Sequence, residues 1–151
     1  MSIKVIATNR KARHEYQFHD TYEAGLVLQG SEIKSIRARK VSLQQGFVTF
    51  EGGEAWLVDV HIAAYDPASR QNHDPKRRRK LLLHRREIDR LAGRAQQKGY
   101  TVIPTKLYLK DGRAKIEIAL ARGKRQYDKR RAIAERDSKR QVERALKERY
   151  G

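Results

Sequence analysis

The chain has 151 residues, no cysteine, and 35 Lys+Arg against 18 Asp+Glu, for a formal charge of +17. That length suits one domain with a single modest core and room for an appendage. Disulfides and thiol chemistry are excluded, no apolar run approaches the ~20 residues of a spanning helix, and no N-terminal hydrophobic segment has signal-peptide character. A soluble intracellular protein is therefore the simplest reading, and a membrane partner is not expected. Self-repulsion on this scale opposes compaction and is relieved by a polyanion, so nucleic acid is the first candidate partner.

From Tyr16 to Ala121 the pattern is mainly that of strands. "EYQF" and "YEAGLVLQG" carry aromatic and branched residues and end at Gly30. "SEIKSIRAR" reads as a short helix, with Ser31 as a candidate N-cap and Ile33 and Ile36 on one face. "GFVTFEGGEAWLVDVHIAAY" is two apolar runs joined by Gly52 and Gly53, a hairpin signal. "SRQNHDPKRRRKLLLH" then combines a turn at Asn72–Pro75, an unbroken basic run Lys76–Lys80, and a strand.

"HRREIDRLAGRAQQKG" is a longer helix. Ile88, Leu91, Ala92 and Ala95 share its apolar face, and Gly99 is expected at its C-terminal cap. In "YTVIPTKLYLKDGRAKIEIALARG" the Asp111-Gly112 pair supplies a tight turn. Ile116, Ile118 and Leu120 alternate with Lys115, Glu117 and Ala119, so one face is apolar and the other wet. Pro104 implies an edge position or a bulge. Several short strands with a helix near the middle predict a small closed or partly open antiparallel β-barrel, and the order of elements fits, without requiring, the oligonucleotide-binding (OB-like) version.

The basic run has competing readings: a solvated loop, a nuclear-localisation signal, or an anion-binding site. Its cations repel one another unless anions neutralise them, and "KLLLH" anchors the run beside a buried strand. Both points favour anion binding.

Near Gly123 the chain changes character. Between Lys124 and Tyr150 there are eleven cations and five anions, and Ala, Glu, Lys, Arg, Gln and Leu dominate. Val142, Leu146 and Tyr150 line up, but upstream only Ile133 and small alanines offer apolar surface. Such a segment has helix propensity without a face to bury, so it is expected to be largely disordered alone and helical against a charged partner such as RNA. The competing reading is a solvated helix with ion pairs one turn apart. The expected organisation is a barrel domain over residues 1–123 and a basic tail over 124–151.

Catalysis finds little support. No two of the five histidines lie four apart, and phosphate-loop, nucleophile-elbow and dinucleotide fingerprints are missing. No enzyme activity, metal or cofactor is expected.

Several blocks are recognisable together: "NRKARHEY", "GLVLQGSEIKSIR", "HDPKRRRKLLLHRREI", "KLYLKDGRAKIEIALARGK" and "YDKRRAIAERD". In this order, nearly end to end, they resemble the small protein B family, the bacterial partners of transfer-messenger RNA in trans-translation. The resemblance implies a cytoplasmic bacterial RNA-binding protein. Its barrel would bind the elbow of the tRNA-like domain and stand in for the missing anticodon arm. It would deliver that RNA to stalled ribosomes, together with elongation factor Tu on the aminoacylated RNA. The tail would probe the small-subunit decoding centre and the vacant mRNA channel.

Residue by residue, the resemblance assigns RNA binding to Asn9, Arg10 and Lys11, to Glu32 as the family's acidic residue, and to Leu82, His84 and Lys124. Lys34 and the basic run Lys76, Arg77, Arg78, Arg79 and Lys80 complete the expected body surface. The ribosome-contacting tail would comprise Asp128, Lys129, Arg130, Arg131, Ile133, Glu135, Arg136, Lys139 and Arg140. Here the chain has Arg131, Ala132 and Ala134 where relatives often carry Glu, Thr and Lys. A ribosomal or ribosome-assembly protein that holds ribosomal RNA permanently is the alternative, since it shares the charge, the barrel and the tail.

Overall fold

The computed structural model describes residues 2–65 and 72–123. In chain order the elements are β1 (Ile3–Thr8), α1 (Arg10–Glu15), β2 (Tyr16–Leu26), α2 (Gly30–Arg37), β3 (Val41–Ser42) and β4 (Phe47–Glu51). They continue with β5 (Glu54–Val58), β6 (His61–Ile62), β7 (Arg79–Leu82), α3 (Arg85–Ala95), β8 (Tyr100–Lys110) and β9 (Arg113–Gly123). The expected tail, with Lys124, lies outside the described residues.

Seven strands form one antiparallel sheet in the order β1-β8-β9-β2-β7-β5-β4, and β3 pairs with β6 separately. The expected OB-like class, mainly antiparallel β with short flanking helices, holds. The hydrogen-bonded ladder itself is open, with β1 and β4 at its ends. β4 lies beside β8 through packing, as Phe47 meets Ile103.

Both predicted hairpins form where the sequence can supply two consecutive positive-φ residues, Gly52 (60°) with Gly53 (75°) and Asp111 (50°) with Gly112 (81°). Along β9 the inward residues Ile116, Ile118 and Leu120 are fully buried. They meet Leu81, Leu57, Ile88, Leu91 and Ile36 in one core. The wet face expected opposite them is only partly wet. Ala119 and Ala121 are also buried, and Ala121 joins Ala12 and Ile103 in a second apolar cluster with Tyr16, Phe18 and Phe47 packed around it.

Of the two positions expected for Pro104 the bulge holds: β8 lies between β1 and β9, and its register shifts between Pro104 and Lys106. That bulge absorbs the missing ladder donor. Two local expectations are corrected. The N-cap of α2 is Gln29, not Ser31, with Gln29 and Glu32 closing a reciprocal capping box. And α3 ends at Ala95 with Gln96 as its cap, while Gly99 (φ 86°) shapes the turn into β8.

Candidate nucleic-acid interface

The basic run does not stand free in solvent. Lys76 is exposed on the turn, where Asp74 accepts from its backbone N–H. From there the chain enters β7, and strand alternation sends successive cations to opposite sides. Arg79 and Leu81 point inward and are fully buried; Lys80 and Leu82 point outward.

Inside, Arg79 meets Glu32 of α2. The Arg79 Nε donates to Glu32 Oε2 at 2.5 Å, Nη1 to the Val60 carbonyl at 2.7 Å and Nη2 to the Pro75 carbonyl at 3.1 Å. Arg77, about one-third exposed, donates from Nη2 to the other Glu32 oxygen at 2.5 Å and to the Val27 carbonyl at 3.3 Å. The Gln29 N–H completes the set on Glu32 Oε1 at 2.8 Å. A buried ion pair persists only when its remaining donors and acceptors are met; all three Arg79 nitrogens are, whereas the Arg77 Nε is buried without a partner. Burial pushes the Glu32 carboxyl upward, but hydrogen bonds from Arg77, Gln29 and Arg79 outweigh it and hold the group below its ordinary value. Burial draws the Arg79 guanidinium downward, opposed by Glu32 and, more weakly, by Asp74.

Glu32 and Arg79 were both expected on the RNA surface. Neither has any exposed area, so neither side chain touches a ligand in this conformation. Asn9 is buried as well. It is 2% exposed and caps α1, its Oδ1 accepting from the Ala12 N–H at 3.1 Å. Its Nδ2 donates to the Pro104 and Leu43 carbonyls at 2.9 and 3.3 Å. What Asn9 positions is the exposed pair Arg10 and Lys11 on α1. Lys11 also borders a cleft of ≈ 360 Å³ shared with Glu15, Gln44, Gln45 and Phe47. His84 is exposed and forms the N-cap of α3 with Glu87. Lys34 is exposed, its Nζ 5.6 Å from the Tyr65 ring centroid.

Behind the clamp, His73 is buried between the Ser31 hydroxyl (2.9 Å to Nδ1) and the Ile62 carbonyl (2.7 Å to Nε2). The carbonyl can only accept, so Nε2 carries a proton and donates to it, while Nδ1 shares a hydrogen bond with the Ser31 hydroxyl. Ser31 thus ties α2 to the turn that carries the basic run.

On the outward face of the sheet, sequence reasoning named Arg78, Lys80 and Leu82 but missed Trp56, Lys106, Tyr108 and Lys115. Ladder register brings Trp56 opposite Lys80, Leu82 opposite Gly25, Gly25 opposite Lys115, and Lys115 opposite Tyr108. Leu82 is 54% exposed and rests on Gly25, where an added Cβ would come within 3.3 Å of its Cβ and Cδ1. The Arg78 guanidinium lies 5.0 Å over the Trp56 ring, and Lys106 approaches the Tyr108 ring at 5.9 Å. Tyr108 donates its hydroxyl proton to Glu23, and Lys110 reaches the same carboxylate. The Tyr108 bond, with the lysines Lys110 and Lys115 nearby, holds Glu23 below its ordinary value against a small desolvation penalty. The Tyr108 hydroxyl is pushed well up by burial and by Glu23. The available signal was the period of two: Tyr108 and Lys106 in "KLYLK", and Lys115 in "AKIEI", share one side of their strands.

A sheet that buries one face, and turns outward a half-buried indole and an exposed leucine among lysines and arginines, marks a nucleic-acid-binding protein of the basic β-sheet class. The sequence profile described as SmpB protein matches residues 6–148. An SsrA-binding protein of Roseiflexus castenholzii is 60% identical over 147 residues, covering 97% of this chain and 93% of the relative. One of Persephonella marina is 57% identical, covering 97% of each. A solved chain described as "tmRNA-SmpB: a journey to the center of the bacterial ribosome" superposes with a TM-score of 0.68 at 50% identity, over 78% of this chain and 83% of that one. The chain belongs to the SmpB protein family.

Proposed function

We propose that this protein binds the tRNA-like domain of transfer-messenger RNA and delivers it to stalled bacterial ribosomes, where rescue and tagging of the unfinished protein follow. Membership of the SmpB family supports the role. The outward face around Leu82 carries the structural part of the reading: an exposed leucine lies over Gly25 beside a half-buried tryptophan, and cations border both. Lys80, Leu82, Arg78, Lys106 and Lys115 are the proposed RNA contacts of this face. Arg77 contributes its exposed edge, and Glu32 and Arg79 act as positioning residues beneath. Arg10 and Lys11 on α1, with Lys34 and Lys76, extend the basic surface. The cations of the segment 124–151 are proposed for the ribosome's decoding centre and mRNA channel. Elongation factor Tu on the aminoacylated RNA is the expected companion, and the bacterial cytoplasm the expected place.

The test compares affinity for the tRNA-like domain with that for an RNA duplex of equal length, at one fixed salt concentration. A clear preference for the tRNA-like domain is expected, reduced by Leu82→Ala in a folded protein. Equal affinity for both RNAs would turn the reading into generic RNA binding.

A further inference from the structure

Trp56 is the chain's single tryptophan. It lies in the middle of β5 between Ala55 and Leu57, both buried, and so points to the opposite, outward side of the sheet. It remains half-buried there, flanked by Thr49 and Lys80 on the neighbouring strands. What covers it is not the core but a cation. Arg78 lies over the indole at 5.0 Å and is held from the side by Glu51 at 3.0 Å. That ion pair is exposed, 45% at Arg78 and 62% at Glu51. Lys80, opposite Trp56, is held in the same way by Glu54 at 3.5 Å.

Exposed ion pairs of this kind are weak, and an arriving phosphate competes well for both cations. Aromatic faces stack on unpaired bases, and adjacent cations take the backbone. We propose that Trp56 is a stacking site for one unpaired nucleobase of the RNA partner, covered by Arg78 until the RNA arrives. Arg78 then transfers from Glu51 to a phosphate, Lys80 from Glu54 to the same strand, and the indole face is uncovered. Because a duplex keeps the faces of its interior bases stacked inside, the ligand feature is a loop or bulge nucleotide. This inference rests on the RNA-binding reading above and adds the feature recognised.

The single tryptophan makes the test direct. The full-length protein is titrated with the tRNA-like domain of transfer-messenger RNA while its tryptophan emission is followed, and RNA retention on filters is measured in parallel. Emission is expected to be quenched with the same midpoint as retention, and a blunt RNA duplex to leave it unchanged. Trp56→Leu is expected to weaken retention about 5- to 150-fold, the range for one lost base stack, and Trp56→Phe to keep most of the affinity. RNA retained without any emission change overturns the stacking site, as does equal quenching by the duplex. Should Trp56→Leu fail to fold, the wild-type emission and the Trp56→Phe affinity still decide. No retention of the tRNA-like domain by the wild-type protein would instead defeat the functional reading itself.

Discussion

Arg79 Nε and Glu32 Oε2 stand 2.5 Å apart in the interior, with neither side chain exposed. The bond ties β7 to α2, and Arg77 takes the other oxygen of the same carboxylate. One anion therefore fixes two members of the basic run and sets which of them faces outward. Removing it leaves Arg79 charged and buried without its ion-pair partner, a defect that costs about 3–5 kcal/mol. Glu32→Gln and Glu32→Ala should both lose stability on this scale in urea unfolding, with Gln the milder because its amide oxygen can still accept one of the bonds. A Glu32 that accepted hydrogen bonds directly from RNA would show the opposite: full stability with lost affinity.

The same clamp sets an acid limit. In the unfolded chain Glu32 titrates near its ordinary 4.5, and in the folded protein lower. Its contribution is thus fully present above pH 4.5 and is lost as pH falls through the lower folded value. Unfolding free energies of wild type and Glu32→Gln should differ most near neutrality and converge as the medium is made more acidic than pH 4.5. A gap that stays constant through that window would mean that the carboxylate's charge is not what stabilises the fold.

The cations of the basic run should separate in a salt titration. Arg78 and Lys76 are exposed, so replacing either by Ala should flatten the dependence of log affinity on log salt by about 0.7–0.9, the counterion release of one phosphate contact. Arg79→Ala should leave the slope of any folded protein unchanged and lower its stability instead. A single slope change shared by all three variants would show that the buried arginine reaches the RNA.

Much of the fold was legible because its signals are local. Asp111-Gly112 and Gly52-Gly53 meet a steric demand that few other pairs meet, and Ile88 and Leu91 mark the α3 face by helical spacing alone. β1 and α1 carry no such signal: α1 is short, and its single buried residue is Ala12. The site was legible as composition but not as geometry. Five consecutive cations look alike in a sequence, and only the alternation of a strand tells Arg79 from Lys80. Glu32, which decides the matter, lies 47 residues away from Arg79. The surroundings of Asn9 were not legible for a related reason. A polar residue beside Arg10 and Lys11 suggests a binding surface, yet its carbonyl partners come from distant segments, at Leu43 and Pro104.

The body should fold without the segment beyond Gly123. The ladder between β2 and β9 closes with Tyr16 opposite Gly123, and every core residue named above lies before that point. A protein ending at Gly123 is therefore expected to unfold cooperatively, with a denaturant midpoint close to that of the full chain. It should keep the Leu82 face and with it affinity for the tRNA-like domain, less the salt-dependent share of the eleven cations removed. Tagging on stalled ribosomes should be abolished, because the proposed ribosome contacts go with those cations. Binding and tagging assays on the same truncated protein separate the two parts. Tagging retained at wild-type level would assign ribosome recognition to the sheet body, and loss of folding would show that the segment 124–151 belongs to the core.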